Sequence, residues 1–199
     1  MMAGLNLSDD KTMQKALQKG FQSCGQRISI VGTSGSGKTT LARQVAHQLQ
    51  MPHIELDALH WEPNWTEAED RVFRDRISES LSGDRWVVDG NYSKVRPIIW
   101  SKAYTVIFLD YPFWLVISQL LRRTLKRSLS QEELWSGNRE SLRKAFLSQD
   151  SILMWMLKTY AKNRKKYPAL LNQPEYSHLS FIHLRSRKDT DAWLLSLLD

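Results

Sequence analysis

The chain has 199 residues, 42% of them hydrophobic and 25% charged, with a net charge of +7 and a single cysteine. That length suits one α/β domain with a sizeable core, spanning residues 1–199. One cysteine excludes an internal disulfide, and no apolar run approaches the roughly 18 residues a membrane span needs.

In chain order, the opening "MMAGLNLSDDKTMQKALQKG" lacks the apolar centre of a secretory leader, so a cytoplasmic protein is expected. Residues 6–20 read as an amphipathic helix ending at Gly20, and Cys24 as a half-buried thiol beside the first strand. "RISIV" at 27–31 is a buried, β-branched strand. A helix follows over 38–50, with Leu41, Val45 and Leu49 along one stripe. "HIEL" at 53–56 is a second strand. Thr66 and Glu69 have capping-box spacing and predict a helix with Val72, Phe73, Ile77 and Leu81 inward, ended by Gly83. "RWVVD" at 85–89 and "TVIFLD" at 105–110 are strands three and four. Pro112 suits the first turn of a helix that turns Phe113, Ile117, Leu120 and Leu121 inward. "SLSQEELWSGN" then breaks the pattern as a mobile excursion. Helices are expected over 139–148 and 151–166, the latter stopped by Pro168, then a fifth strand at 179–184 and a closing helix at 189–198. Trp86, Trp100, Trp114, Trp155 and Trp193 read as packing residues.

The charge is unevenly placed. Residues 120–170 hold twelve Lys or Arg against four acids, whereas residues 53–90 hold ten acids against four bases. The basic segment fits nucleic acid or the phosphates of a small ligand.

Strands alternating with helices imply a parallel sheet covered on both faces, with ligands beyond the carboxyl ends of its strands. There lie Gly32–Thr40, Asp57, Asp89-Gly90, Asp110 and Arg185-Ser186. The stretch GTSGSGKTT (Gly32, Thr33, Ser34, Gly35, Ser36, Gly37, Lys38, Thr39, Thr40) fits the phosphate-binding P-loop pattern. Its glycines let backbone N–H groups converge on an anion, and the following helix adds its positive end. Lys38 is expected on the β- and γ-phosphates of ATP, the Thr39 hydroxyl on Mg²⁺ and Thr40 on the α-phosphate.

GTSGSGKTT, "LDALHW", "VVDGNY" and "VIFLDYP" before an Arg-rich helix together resemble the P-loop nucleoside and nucleotide kinases, with adenylate, shikimate and gluconate kinases as relatives. The likeness is nearest to the adenylate-kinase-like proteins labelled DNA topology modulation proteins. The resemblance implies a three-layer P-loop NTPase fold, α/β, with a five-stranded parallel sheet in the order 2-3-1-4-5 and a helical lid, here about 127–139. It implies that Asp57 lies near Mg²⁺ and the acceptor hydroxyl, and "LDALH" is similar to the gluconate-kinase pattern at Asp57 and His60. Asp89 matches the acid after strand three and is the metal-side choice, with Asp110 its rival. Asn91 and Tyr92 stand where adenylate kinases have Pro-Arg, and Arg96 follows further on. Arg123 and Arg127 match arginines entering the lid, and Arg139 and Arg143 those leaving it. Arg185 is expected to border the adenine. Trp61 and Trp65 are candidates to stack on the acceptor or to pack against the next helix, and Trp135 sits in the lid.

The expected function is a cytoplasmic kinase moving the ATP γ-phosphate to a small-molecule acceptor, a nucleotide, nucleoside or small hydroxyl compound. The alternatives are a nucleotide-binding ATPase or regulator whose basic segment contacts nucleic acid, and an interaction protein with a relic P-loop.

Overall fold

A computed structural model describes residues 27–140 and 151–197. The expected helix at 6–20, Cys24, Arg143 and most of the expected helix at 139–148 lie outside the described residues.

Five short strands have period-two alternation, which points successive side chains to opposite faces. They are β1 (Arg27–Gly32), β2 (His53–Glu55), β3 (Trp86–Asp89), β4 (Thr105–Leu109) and β5 (Ser180–Leu184). All pair in parallel, in the spatial order β2-β3-β1-β4-β5, as the family resemblance implied. Ile28, Ile30, Val87, Ile107 and Leu109 face one side. There they meet α1 (Lys38–Gln48), α5 (Phe113–Ser130), the start of α6 (Ile152–Leu171) and α7 (Arg187–Leu195). Val31, Trp86, Val88, Val106 and Phe108 face the other side. They meet α3 (Asp70–Ser80), α4 (Arg96–Trp100) and Tyr167 of α6, while α2 (Leu56–His60) adds Leu56. Both faces are therefore apolar, as a parallel sheet under helices requires.

Four expectations need correction. Thr66 does not open a helix. Pro63 and the positive φ angles of Asn64 (62°) and Trp65 (59°) fold the chain back, so Thr66–Glu67 pairs antiparallel with Trp61–Glu62. The helix starts at Asp70, and Val72 points outward while Phe73, Ile77 and Leu81 are buried. In α5 the buried stripe is Val116, Leu120, Thr124 and Ser128, and Leu121 is exposed. The P-loop sets this register. Gly35, at φ +87°, lies so close to α5 that a Cβ there would sit 2.8 Å from the Leu120 Cβ and the Val116 carbonyl. Helix α6 runs through Pro168 to Leu171. The proline removes one N–H, but Tyr167, Leu170 and Leu171 hold the last turn to the core. Lastly, Trp86, Trp100 and Trp193 are buried as expected, whereas Trp114 and Trp155 are 77% and 59% exposed.

Candidate phosphoryl-transfer site

The P-loop joins β1 to α1 at the carboxyl edge of the sheet, beside the ends of β3 and β4. Positive φ angles at Gly32, Gly35 and Gly37 carry the turn. Gly37 stands at the N-cap of α1 with φ 92°, so the first amides of that helix open into the loop. Ser36 N–H donates to the Thr33 carbonyl at 3.0 Å, and Lys38 Nζ donates to the same carbonyl at 3.2 Å. Burial pushes the Lys38 pKa down, against the pull of Asp89 and Asp57. The ammonium is thus held at a desolvation cost in the mouth of an amide-lined loop. Ser34 and Gly35 are half-buried and Thr40 is exposed on the first turn of α1.

The end of β3 meets the loop. Thr39 Oγ1 donates to Asp89 Oδ2 at 2.7 Å and lies 3.5 Å from Glu55 Oε1. Asp89 is buried, and its other oxygen lies 2.7 Å from His53 Nε2. Burial raises the Glu55 pKa, and the neighbouring Asp89 charge raises it further. The Trp135 indole N–H hydrogen-bonds to Glu55, opposing that rise. A hydroxyl and two carboxylates form an all-oxygen donor set, which suits Mg²⁺ shared with phosphates. Among the described residues no three-membered His, Cys, Asp or Glu metal cluster exists, so such an ion would rely on the nucleotide for further ligands. Asp110 is engaged elsewhere, with Arg164 Nε at 2.9 Å and His183 Nε2 at 3.0 Å.

The arginines expected around a lid differ in their surroundings. Arg123 is half-buried near Asp57, Glu55, Arg127 and Glu140; desolvation lowers its pKa first, and Arg127 lowers it further. Its Nε has no partner among the described residues. Arg127 binds Glu140 at 3.2 Å and Glu132 at 3.9 Å, and its guanidinium lies 6.0 Å over the Trp135 ring. Arg139 is half-exposed and faces Glu133 at 3.8 Å. The Arg185 amide donates to Asp189 at 3.0 Å, within the capping box that starts α7.

Beyond the end of β2, the Tyr92 hydroxyl donates to Asp57 Oδ1 at 2.5 Å and takes a hydrogen bond from the Trp61 indole. Burial, then the Asp57 charge, pushes the Tyr92 pKa far up, so the phenol keeps its proton. His60 is buried among the rings of Tyr92, Phe73 and Trp61, at 4.5, 4.8 and 4.9 Å. Burial lowers its pKa, which leaves it neutral at pH 7. Asn91 turns inward: its amide oxygen accepts from Gly32 N–H at 3.2 Å and from the Tyr167 hydroxyl at 2.9 Å, and its nitrogen donates to the Gly32 carbonyl. Arg96 lines a small cavity with Asn91, Tyr92, Trp100 and Tyr167.

The excursion after α5 is not a free loop. Asn138, 4% exposed, accepts from Trp65 N–H at 2.8 Å and donates to the carbonyls of Glu62 and Trp135 at 2.8 and 2.9 Å. The Ser136 hydroxyl donates to the Trp61 carbonyl at 2.7 Å. Trp65 meets Trp61 and Trp135 edge-on, at 5.5 and 6.3 Å. Replacing Asn138 with alanine strands buried backbone groups, a local cost of about 1–3 kcal/mol. Amides in 61–67 and 131–140 are expected to exchange about tenfold faster or more in that variant, measured by hydrogen exchange, while ATP affinity holds.

Reasoning from sequence missed Glu55, His53 and Asn163, whose side chain donates to Thr33 Oγ1 at 3.4 Å. Glu55 had a signal: it lies two residues before Asp57, at the carboxyl end of β2. His53 and Asn163 had none, because their contacts span 36 and 130 residues.

A family model described as the NB-ARC domain matches residues 9–110. An uncharacterized protein of Bacillus subtilis (strain 168), YqaC, is 25% identical over 129 residues, covering 64% of this chain and 72% of that protein. Among solved structures, a sugar kinase from Janibacter sp. HTCC2649 superposes with a TM-score of 0.50 at 18% identity, over 87% of this chain and 92% of that one. A gluconokinase from Sinorhizobium meliloti 1021 gives 0.49 at 17% identity, over 87% and 91%. At these identities the sugar kinase speaks for the fold. No helix among the described residues is long and apolar enough to cross a membrane. With the strand order, the phosphate loop and the matched family model in agreement, the chain belongs to the NB-ARC domain family of P-loop NTPases.

Proposed function

We propose that the protein is an ATP-dependent phosphotransferase that moves the γ-phosphate to a hydroxyl of a small acceptor. The observation that carries this reading is the convergence of Lys38 and the half-buried Arg123 on one cluster with Asp57, Asp89 and Glu55. A second half-buried cation and a carboxylate beyond the metal side favour transfer over binding alone. Phosphoryl transfer needs both, since it depends on positioning and on charge placed around the moving group.

In this reading the P-loop amides and Lys38 hold the β- and γ-phosphates. Thr39 and Asp89, with Glu55 beside them, hold Mg²⁺, which when bound supplies positive charge to the phosphate oxygens. His53 fixes the orientation of Asp89, as hydrogen-bonded outer groups do for metal ligands. Arg123 neutralises charge on the transferring group, and Arg127 joins it by leaving Glu140. Asp57, oriented by Tyr92, accepts the proton of the attacking hydroxyl. Trp61 and Trp65 flank the acceptor. Arg139 acts on the outer face of the lid, and Arg185 borders the base.

The test is a screen of Mg-ATP consumption against nucleosides, nucleoside monophosphates, sugars and hydroxy acids. One acceptor class is expected to raise turnover sharply over the rate with water. ATP consumption indifferent to every acceptor would overturn the reading in favour of an ATPase. Asp57→Asn is expected to lower kcat about 10²–10⁴-fold, the usual share of a general base, with ATP affinity unchanged in a calorimetric titration.

A further inference from the structure

Outside the phosphate loop, Arg96, Lys162 and Lys166 form a group of cations with no direct carboxylate ion pair among the described residues. Arg96 opens α4, and its guanidinium lies 5.6 Å from the centre of the Trp100 ring. Lys166 of α6 lies 5.8 Å from the centre of the Tyr167 ring. These two rings adjoin, with centroids 6.3 Å apart. Lys162 stands one helical turn before Lys166, on the same face. The charges that act on Lys166 are those of Arg96 and Lys162, both of like sign; burial lowers its pKa first, and they lower it further. Arg96 Nε is buried with no partner among the described residues. The guanidinium does reach the Tyr176 hydroxyl, which also meets Glu175. On a solvated helix face, long cationic side chains spread into water. Here they gather on an aromatic platform, at a cost that a bound anion would offset.

The group adjoins the transfer site. Arg96 lines a cavity with Asn91, Tyr92, Trp100 and Tyr167. At its near end Tyr92 reaches Asp57 at 2.5 Å, and Asn91 ties Tyr167 to Gly32. The cations on the hairpin side are already paired, Arg76 with Glu62 at 2.9 Å and Lys94 with Asp70 at 2.7 Å. We propose that Arg96, Lys162 and Lys166 form an anion site that holds a phosphate or carboxylate group of the acceptor, one tyrosine ring away from the hydroxyl to be phosphorylated. A guanidinium fork with two ammonium groups suits either oxyanion. The use made of the site rests on the kinase reading; the site itself does not.

The test fills the P-loop with Mg-AMP-PNP and then titrates inorganic phosphate into the full chain, following heat and melting temperature. The expected result is a saturable second site that the double variant Lys162→Ala, Lys166→Ala weakens about tenfold or more, with AMP-PNP affinity unchanged. Arg96→Gln is expected to do the same. Because Arg96 is partly buried and its variant can fail to fold, the lysine pair decides. Equal phosphate affinity in the double variant, or no second site in the parent, overturns the proposal. A single-stranded oligonucleotide that binds with a steep salt dependence where phosphate does not also overturns it, in favour of a polynucleotide surface. In the acceptor screen, the best acceptor is expected to be anionic, with a KM about tenfold higher in the double variant and kcat little changed. An uncharged best acceptor sinks the site's role and leaves the kinase reading intact. A phosphate site with no acceptor at all sinks the kinase reading and leaves the site.

Discussion

Lys38→Ala is expected to cut phosphoryl transfer by about a thousandfold or more while the protein stays folded. Lys38 Nζ rests on the Thr33 carbonyl inside the loop, at a desolvation cost that lowers its pKa. That cost has a purpose only when phosphate charge arrives. A group placed where charge develops is worth about 10²–10³ in rate, and in the kinase reading this lysine faces both the ground state and the transition state. Stability should move the other way. A lysine whose folded pKa lies below its unfolded value leaves the native state with fewer bound protons as pH rises through the window beneath 10.5. The parent therefore gains stability across that window, whereas the alanine variant lacks the gain and is no less stable at neutral pH. Melting curves at several pH values, with coupled turnover assays, check both halves. A variant that turns over normally removes Lys38 from the chemistry.

Arg123→Gln is expected to be almost as severe. Arginines that meet the transition-state charge in phosphoryl transfer are worth about 10³–10⁵ in kcat. Arg123 is half-buried, its Nε has no partner among the described residues, and the nearby charges include Asp57, Glu55 and Glu140. Glutamine keeps some hydrogen bonding and removes the charge. The expected result is a kcat loss of about a thousandfold with ATP affinity within a few-fold of the parent. An equal loss in ATP affinity would mean that Arg123 grips the ground-state nucleotide. Arg139→Gln, by contrast, is expected to change little, because that side chain faces Glu133 near the surface.

Much of the fold was legible because parallel strands buried on both faces write themselves as short β-branched runs, and "RISIV", "RWVVD" and "TVIFLD" fall in register. The loop was legible because so few residue types satisfy its backbone. What could not be read depends on contacts between distant segments. The Trp61–Glu67 hairpin needs two non-glycine residues at positive φ, a choice that tertiary packing makes and propensity does not. In α5, Phe113, Ile117 and Leu120 pack on the core as expected, while Leu121 is left outside and Val116, beside Gly35, takes its place. The pairing of Thr39 with Asp89 followed from strand order, but Asn91 looked like an acceptor ligand and instead ties the β1 and β3 ends together. Arg96 and Lys166 are seventy positions apart, and only α6 crossing the sheet's second face makes them neighbours.

The grip of Asn138 on the backbone of Glu62 and Trp65 joins the Trp61–Glu67 hairpin and the segment after α5 into one unit. In the kinase reading, a guest that wedges the hairpin outward is expected to drag that segment with it and part Arg127 from Glu140, so that without an acceptor the arginine stays in storage and little ATP is lost to water.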